Sequence, residues 1–282
     1  MSKIAVVGAG TMGNGIAHVF AQHGWETVLI DVSDEALGRG LATIKKSLER
    51  LEKKGVIGHQ SSVDTLGRIR TSTSLEAAKD AEIVVEAVSE NPDIKFEVFA
   101  ALRRLTPPQT ILASNTSSIS IEELAKHTNN PARVIGMHFM NPVPVMKLVE
   151  VIRGRETSSD TVKRTVEIVQ ELGKTAVEVH DAPGFVSNRV LMPMINEAIF
   201  CVQDGIATAE GVDRVMKLGM NHPLGPLALA DLIGLDVCLA IMKVLQDGLD
   251  AHKYQPAPLL ETMVAKGQLG RKSGQGFYVY RD

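Results

Sequence analysis

Cysteine is scarce in this 282-residue sequence: Cys201 and Cys238 are the only two, and they fall in separate apolar segments. Two thiols so placed make neither a disulfide framework nor a metal site, so the expectation is two reduced, buried thiols, a reducing compartment and no metal. An excess of charge of one sign is also missing. The net charge is −3, which excludes the electrostatic footprint of a nucleic-acid or membrane-surface binder. No apolar run reaches the ~18 residues of a membrane span. No basic segment with a cleavable apolar stretch precedes the strand-like run Ile4–Val7. These absences predict a cytoplasmic, water-soluble protein with no nucleic-acid or membrane partner. The hydrophobic fraction, 44%, is that of a globular protein, and the length suits one large domain or two medium ones.

The first thirty residues are the most informative. Lys3–Val7 is a short apolar run that ends in glycine, and Gly8, Gly10 and Gly13 then spell G-x-G-x-x-G. Thr11 and Met12 belong to the same turn. Ile16, Ala17, Val19 and Phe20 continue at helical spacing, Gly24 breaks the helix, and "ETVLI" makes a second strand that ends at Asp31, 18 residues after Gly13. A lone glycine motif is weak evidence. A glycine motif between strand and helix, with an acid at the end of the next strand, is a dinucleotide fingerprint. Gly8 permits the tight turn, Gly10 lets the backbone approach a pyrophosphate, and Gly13 lets the helix pack closely on the strand. The free N–H groups of the helix start then face the phosphates. Asp31 can accept the ribose hydroxyls, and no arginine follows it to hold a 2′-phosphate, so NAD is expected rather than NADP.

Residues 34–54 have the apolar stripe of a long helix, through Ala36, Leu37, Leu41, Ile44, Leu48 and Leu51, with Lys45, Lys46, Arg50, Lys53 and Lys54 in its last turns. "SVDTLGRI" suggests a shorter second helix. This insertion exceeds what a crossover needs, and such connections are usually functional. Strands are expected at 83–88, 110–113 and 134–137, with helices between them. "MKLVEVI" and "TAVEVH" make two further strands around a helix at 159–172. Alternating strand and helix predicts a doubly wound, mostly parallel α/β sheet of Rossmann type, whose ligands sit beyond the C-terminal strand ends. Those ends carry Glu86–Glu90, Ser114–Ser118 and His138. Pro183 and Gly184 mark a joint. The helix after it is apolar almost all round and is expected to be buried. Asn188 falls on the side of Ile195 and Ile199, and Pro193 should kink that helix or interrupt its bonding. The expected organisation is 1–183, an NAD-binding domain with a helical insertion, and 184–282, a smaller all-helical domain.

The stretches "GAGTMGNGIA", "VVEAVSEN", "SNTSSISI", "MHFMNPVPVMKLVEVI", "DAPGFVSNRV", "MKLGMNHPLGPLALADLIGLD" and "GRKSGQGFYVY" resemble the 3-hydroxyacyl-CoA dehydrogenase family, in particular its short-chain bacterial 3-hydroxybutyryl-CoA members. The likeness runs through nearly the whole chain. It implies a catalytic pair, His138 and Glu150, with Ser117 and Asn188 completing the site for the substrate oxygen. It implies NAD contacts at Asp31, Glu90, Lys95, Asn115 and Asn141, CoA contacts at Ser47 and Lys54, and a homodimer through the second domain. Met140 stands where the family commonly has an aromatic residue, which touches pocket shape and not the chemistry.

The residue types fit the implied chemistry. Oxidising a secondary alcohol needs a base for the hydroxyl proton, and an imidazole is suited to this at neutral pH. An acid beside it fixes the tautomer and steadies the imidazolium. A hydroxyl and an amide can hydrogen-bond the oxygen as it changes character. Three alternatives share the first domain: an NADP-preferring enzyme, a dehydrogenase for another hydroxy acid or a sugar, and a non-enzymatic NAD-binding protein. The basic helix favours a CoA substrate, and the intact set of four polar residues argues against a non-catalytic scaffold.

Overall fold

Lys3–Val7 (β1) and Glu26–Ile30 (β2) pair in parallel around Thr11–Gln22 (α1), and this βαβ unit starts the sheet. The chain is described over residues 2–280 from a computed structural model. It divides between residues 182 and 183 into two units. In the first unit, Asp34–Lys53 (α2) follows β2, with the Ser33 hydroxyl capping its N-terminus. Leu37, Ile44 and Leu48 of α2 are buried and its basic residues are exposed. His59–Gly67 (α3) and Ile69–Ser72 (β3) come next.

The sheet then grows outward from β1. Ile83–Glu86 (β4), Ile111–Ser114 (β5) and Val134–Phe139 (β6) join it in parallel, with Pro92–Leu105 (α4) and Ile121–Ala125 (α5) between them. Leu148–Arg153 (β7) runs antiparallel to β6, and Thr175–His180 (β8) returns parallel to β7 after Ser159–Glu171 (α6). The strand order is β3-β2-β1-β4-β5-β6-β7-β8. This is the expected doubly wound, mostly parallel sheet. The central strands β4, β5 and β6 are buried at every position, as parallel strands covered on both faces must be.

Three local expectations need correction. β3 was not expected, because its sequence, IRTS, has one apolar residue. It forms by pairing its backbone with β2 at the sheet edge and not by burying a face. The strand expected over 83–88 stops at Glu86, whose carboxylate takes the N–H of Val88 and turns the chain out of the ladder. The helix after the joint is not buried all round, as the second unit shows.

That unit is built from Ser187–Gln203 (α7), Ala209–Gly219 (α8), Pro226–Ile233 (α9), Leu235–Gly248 (α10) and Pro258–Ala265 (α11). Met192, Ile195 and Ile199 of α7 pack with Leu227, Leu235, Cys238 and Leu245 in its core. Burial pushes the Cys238 thiol up to about 12, which leaves it inert. Arg189, Val190 and Glu197 of α7 are exposed, since its neighbours cover one side only. α7 runs on as a helix through Pro193. Two buried carboxylates hold the C-terminal segment. Asp213 accepts from the N–H groups of Leu227 and Ala228 and from the Tyr278 hydroxyl. Asp231 accepts from the N–H groups of Phe277 and Tyr278 and from the Tyr280 hydroxyl. Among the described residues, no helix is long and apolar enough to cross a membrane.

Candidate active site

The glycine turn has the geometry that a dinucleotide requires. Gly8 has φ +104°, and a Cβ there would lie 2.5 Å from the carbonyl oxygen of Ala87. A Cβ at Gly13 would lie 1.7 Å from the carbonyl oxygen of Gly8, so helix and strand approach as only glycine allows. At Gly10 an added Cβ would meet nothing within 4 Å, so the chain faces open space there. No side chain caps α1 at Gly10, and no acid sits in its first turn, Thr11–Gly13. An uncapped, uncharged helix start suits a pyrophosphate. Asp31 lies just past β2. Its carboxylate accepts from Ala9 N–H at 2.8 Å and Ser33 N–H at 3.3 Å, which ties the strand end to the glycine turn.

Beyond β4 and β5 lies a polar network. Glu86 and Lys95 are both completely buried, 2.7 Å apart. The second oxygen of Glu86 accepts the Ser114 hydroxyl at 2.6 Å. The Lys95 ammonium also lies 3.3 Å from Glu90, whose side chain is 38% exposed. Glu90 gathers the next loop. One of its oxygens accepts the Thr116 hydroxyl at 2.5 Å, the N–H groups of Ser117 and Ser118 at 2.8 and 3.1 Å, and the Ser118 hydroxyl at 2.9 Å. Burial acts upward on the Glu90 carboxyl, but the Lys95 ammonium and these donors outweigh it and hold the group below the ordinary carboxylate range. At the far end of the same loop, Asp181 accepts from the Ser120 hydroxyl and the Glu122 N–H. Asn115 takes the N–H of Phe139 at 2.9 Å and so joins the loop to β6.

That loop sets Ser117 beside His138. The Ser117 hydroxyl lies 3.1 Å from His138 Nε2, and His138 Nδ1 lies 2.8 Å from Glu150 Oε2. The antiparallel register places His138 directly opposite Glu150 on β6 and β7, and both are buried. A carboxylate only accepts, so the Nδ1–H donates to Glu150. Nε2 then presents its lone pair to the Ser117 hydroxyl. An imidazole in this tautomer can take a proton at Nε2 while its positive charge faces a carboxylate.

Ser47 lines a cleft of about 420 Å³ between α1 and α2, with Thr11, Asn14, His18, Lys46, Arg50 and Asn141. Lys54 caps the end of α2, about 10 Å further along at 1.5 Å per residue. It is not among the cleft residues. Lys95, expected to contact NAD, is completely buried, with its ammonium against Glu86 and Glu90. Asn188 belongs to the second unit, near the start of α7, and is buried.

Sequence reasoning missed the buried network in which Glu86 holds the Ser114 hydroxyl and Lys95, with Lys95 facing the Glu90 that takes the Ser117 N–H. An acid inside the run "IVVEAV" was the available signal. His18, at the cleft that Ser47 lines, is buried, has no hydrogen-bond partner for Nε2 among the described residues, and is pushed by burial down to about 4.

Profiles described as "3-hydroxyacyl-CoA dehydrogenase, NAD binding domain" and "3-hydroxyacyl-CoA dehydrogenase, C-terminal domain" match residues 3–182 and 184–280. The chain is 56% identical over 282 residues to a Bacillus subtilis protein named "Probable 3-hydroxybutyryl-CoA dehydrogenase", covering 100% of this chain and 98% of that one. It is 48% identical to the 3-hydroxybutyryl-CoA dehydrogenase of Bradyrhizobium diazoefficiens, covering 100% and 96%. The crystal structure of (S)-3-hydroxybutyryl-CoA dehydrogenase from Ralstonia eutropha superposes with a TM-score of 0.97 at 49% identity, covering 100% of both chains. With the dinucleotide turn and the buried histidine–carboxylate pair, these matches make the chain an NAD-dependent dehydrogenase, and it belongs to the 3-hydroxyacyl-CoA dehydrogenase family.

Proposed function

We propose that the enzyme interconverts 3-hydroxybutyryl-CoA and acetoacetyl-CoA, with His138 as the acid and base. The observation that carries this reading is the imidazole bridged between Glu150 and Ser117 at the end of β6. Similarity to relatives named for this substrate supports the acyl length.

Bound NAD supplies the acceptor for the hydride that leaves the alcohol carbon. His138 Nε2 takes the hydroxyl proton in that direction and returns it in the other. Glu150 keeps Nδ1 protonated and balances the imidazolium, so the base need not reorient between the two directions. The Ser117 hydroxyl and the Asn188 amide steady the substrate oxygen as it passes between alcohol and ketone. Asp31 holds the adenosine ribose, the first turn of α1 receives the pyrophosphate, and Glu90, Asn115 and Asn141 line the rest of the dinucleotide path. Lys95 acts through Glu90, because its ammonium is buried against Glu86 and Glu90. Ser47 and Lys54 hold the nucleotide end of CoA.

Residues 1–183 serve as the NAD-binding domain, and 184–282 form the substrate and dimerisation domain of a cytoplasmic homodimer. The exposed apolar side chains of Val190, Ile206, Leu218, Met220 and Leu232 support the dimer, since so small a domain leaves them uncovered by itself. The activity is tested by following NADH oxidation with acetoacetyl-CoA as substrate, in the wild type and in His138→Ala.

A further inference from the structure

The strand of His138 and the strand of Glu150 are joined by residues 140–147. Two of these, Pro142 and Pro144, have no backbone N–H with which to brace the loop. Pro142 O accepts both Val145 N–H and Met146 N–H at 3.0 Å. On one side the loop rests on the dinucleotide helix. Val143 is 2% exposed and seats against Gly15, where an added Cβ would lie 2.9 Å from the Val143 Cβ. On the other side a cation reaches it. The ammonium of Lys174 donates to Val143 O and to Met146 O, each at 2.6 Å.

Lys174 is itself well placed to act as a fixed point. It follows the left-handed Gly173 (φ +65°) at the end of α6, and its N–H donates to Val169 O at 3.2 Å. The next residue, Thr175, opens β8 and donates its N–H to Lys147 O at 2.7 Å, so the turn and the loop end are tied at the backbone as well. Burial holds the half-buried amine below the ordinary lysine range. Among the described residues, the Lys174 hydrogen bonds go to Val143, Met146 and Val169, while the sheet register sets His138 against Glu150. What the ammonium fixes is the loop, and Asn141 lies within that loop.

We propose that Lys174 is a positioning residue for the cofactor. Its ammonium clamps the two loop carbonyls, presses Val143 onto the helix that receives the pyrophosphate, and thereby sets Asn141 along the dinucleotide path. This rests on the reading of Asn141 as an NAD contact. Without the clamp the loop keeps its ends in the sheet but loses its fixed distance from α1. NADH then binds to a loop that must be ordered first, and affinity falls while the proton chemistry of the His138–Glu150 pair is unchanged.

The test is NADH affinity in the whole enzyme, titrated by NADH fluorescence with no acyl substrate present, together with kcat and KM for acetoacetyl-CoA reduction. Lys174→Met, Lys174→Arg and Asn141→Ala are compared with the wild type. Lys174→Met is expected to weaken NADH binding roughly tenfold, the lower end of the scale for one hydrogen bond to a charged group, because the clamp acts on NADH only through the loop. KM for NADH should rise with it, kcat at saturating NADH should stay near the wild-type value, and Lys174→Arg should recover part of the loss. If Lys174→Met proves unstable, Lys174→Arg carries the test, because a guanidinium differs from an ammonium in the direction of its donors and should shift NADH affinity without shifting kcat. Unchanged NADH affinity in the Lys174 variants, with Asn141→Ala impaired, overturns the proposal and leaves the Asn141 reading intact. Unchanged affinity in Asn141→Ala removes that reading and the proposal with it. A fall in kcat with unchanged NADH affinity also overturns it, since that would place Lys174 with the chemistry.

Discussion

His18 shows how a residue that takes no part in the chemistry can govern acid stability. In the folded chain it is buried and stays neutral down to about pH 4, whereas an unfolded chain protonates it near its ordinary value of 6.5. The unfolded state therefore binds more protons between these values, and the contribution of His18 to stability is lost as pH falls from about 6.5 through about 4. The difference is worth about 3 kcal/mol, at 1.36 kcal/mol per pKa unit. Trp25, the only tryptophan, is buried in the first unit and reports its unfolding. Urea denaturation should show His18→Gln losing about 3 kcal/mol less than the wild type across that window. Parallel pH curves for the two proteins would contradict this. His18 also shows the limit of reading single residues in sequence: eight histidines look alike until burial separates them. His138 stands out in the sequence because it follows an expected strand beside the expected cofactor turn. The Glu86–Lys95 pair does not, because the partners lie nine positions apart on a strand and a helix, and their contact exists only once both are packed.

Among elements, the strands that build the nucleotide end were legible from apolar runs, and α2 from its stripe. The edge strand β3 was not, because backbone pairing alone creates it. The decisive element pair, β6 with β7, was half legible. Twelve residues and two prolines indicated a loop between strands. They did not indicate the antiparallel register that sets His138 against Glu150. In the proposed reading, α2 bears on function through its exposed basic residues. Ser47 opens onto the cleft beside α1, and Lys54 caps the helix. Lys54→Ala should raise KM for acetoacetyl-CoA roughly fivefold, the worth of one exposed ion pair at the upper end of its range. It should leave a pantetheine thioester, which lacks the nucleotide, unaffected. Equal losses on both substrates would mean that the end of α2 supports the fold and does not hold CoA. Raised salt should narrow the difference, because exposed phosphate–lysine pairs are screened.

On the scale of the whole molecule, the fold class was legible from alternating strand and helix, and the two family profiles meet at the Pro183 joint. The second unit was harder to read. Apolar residues on every side of α7 suggested complete burial, yet Val190 is 67% exposed. Where an apolar face is covered, the sequence pattern does not say by which chain. A homodimer through this unit would reconcile pattern and exposure. Sedimentation at micromolar concentration should give a species of twice the 30.4 kDa chain mass. A stable monomer would contradict it. The central claim is that His138, held between Glu150 and Ser117, moves the proton. NADH oxidation by acetoacetyl-CoA, measured in the wild type and in His138→Ala alongside NADH affinity, tests it most directly. The wild type should turn over, and the variant should be slower by roughly 10²–10⁴-fold, the scale of general acid–base catalysis, with NADH binding unchanged. Near-wild-type turnover in His138→Ala would contradict the claim.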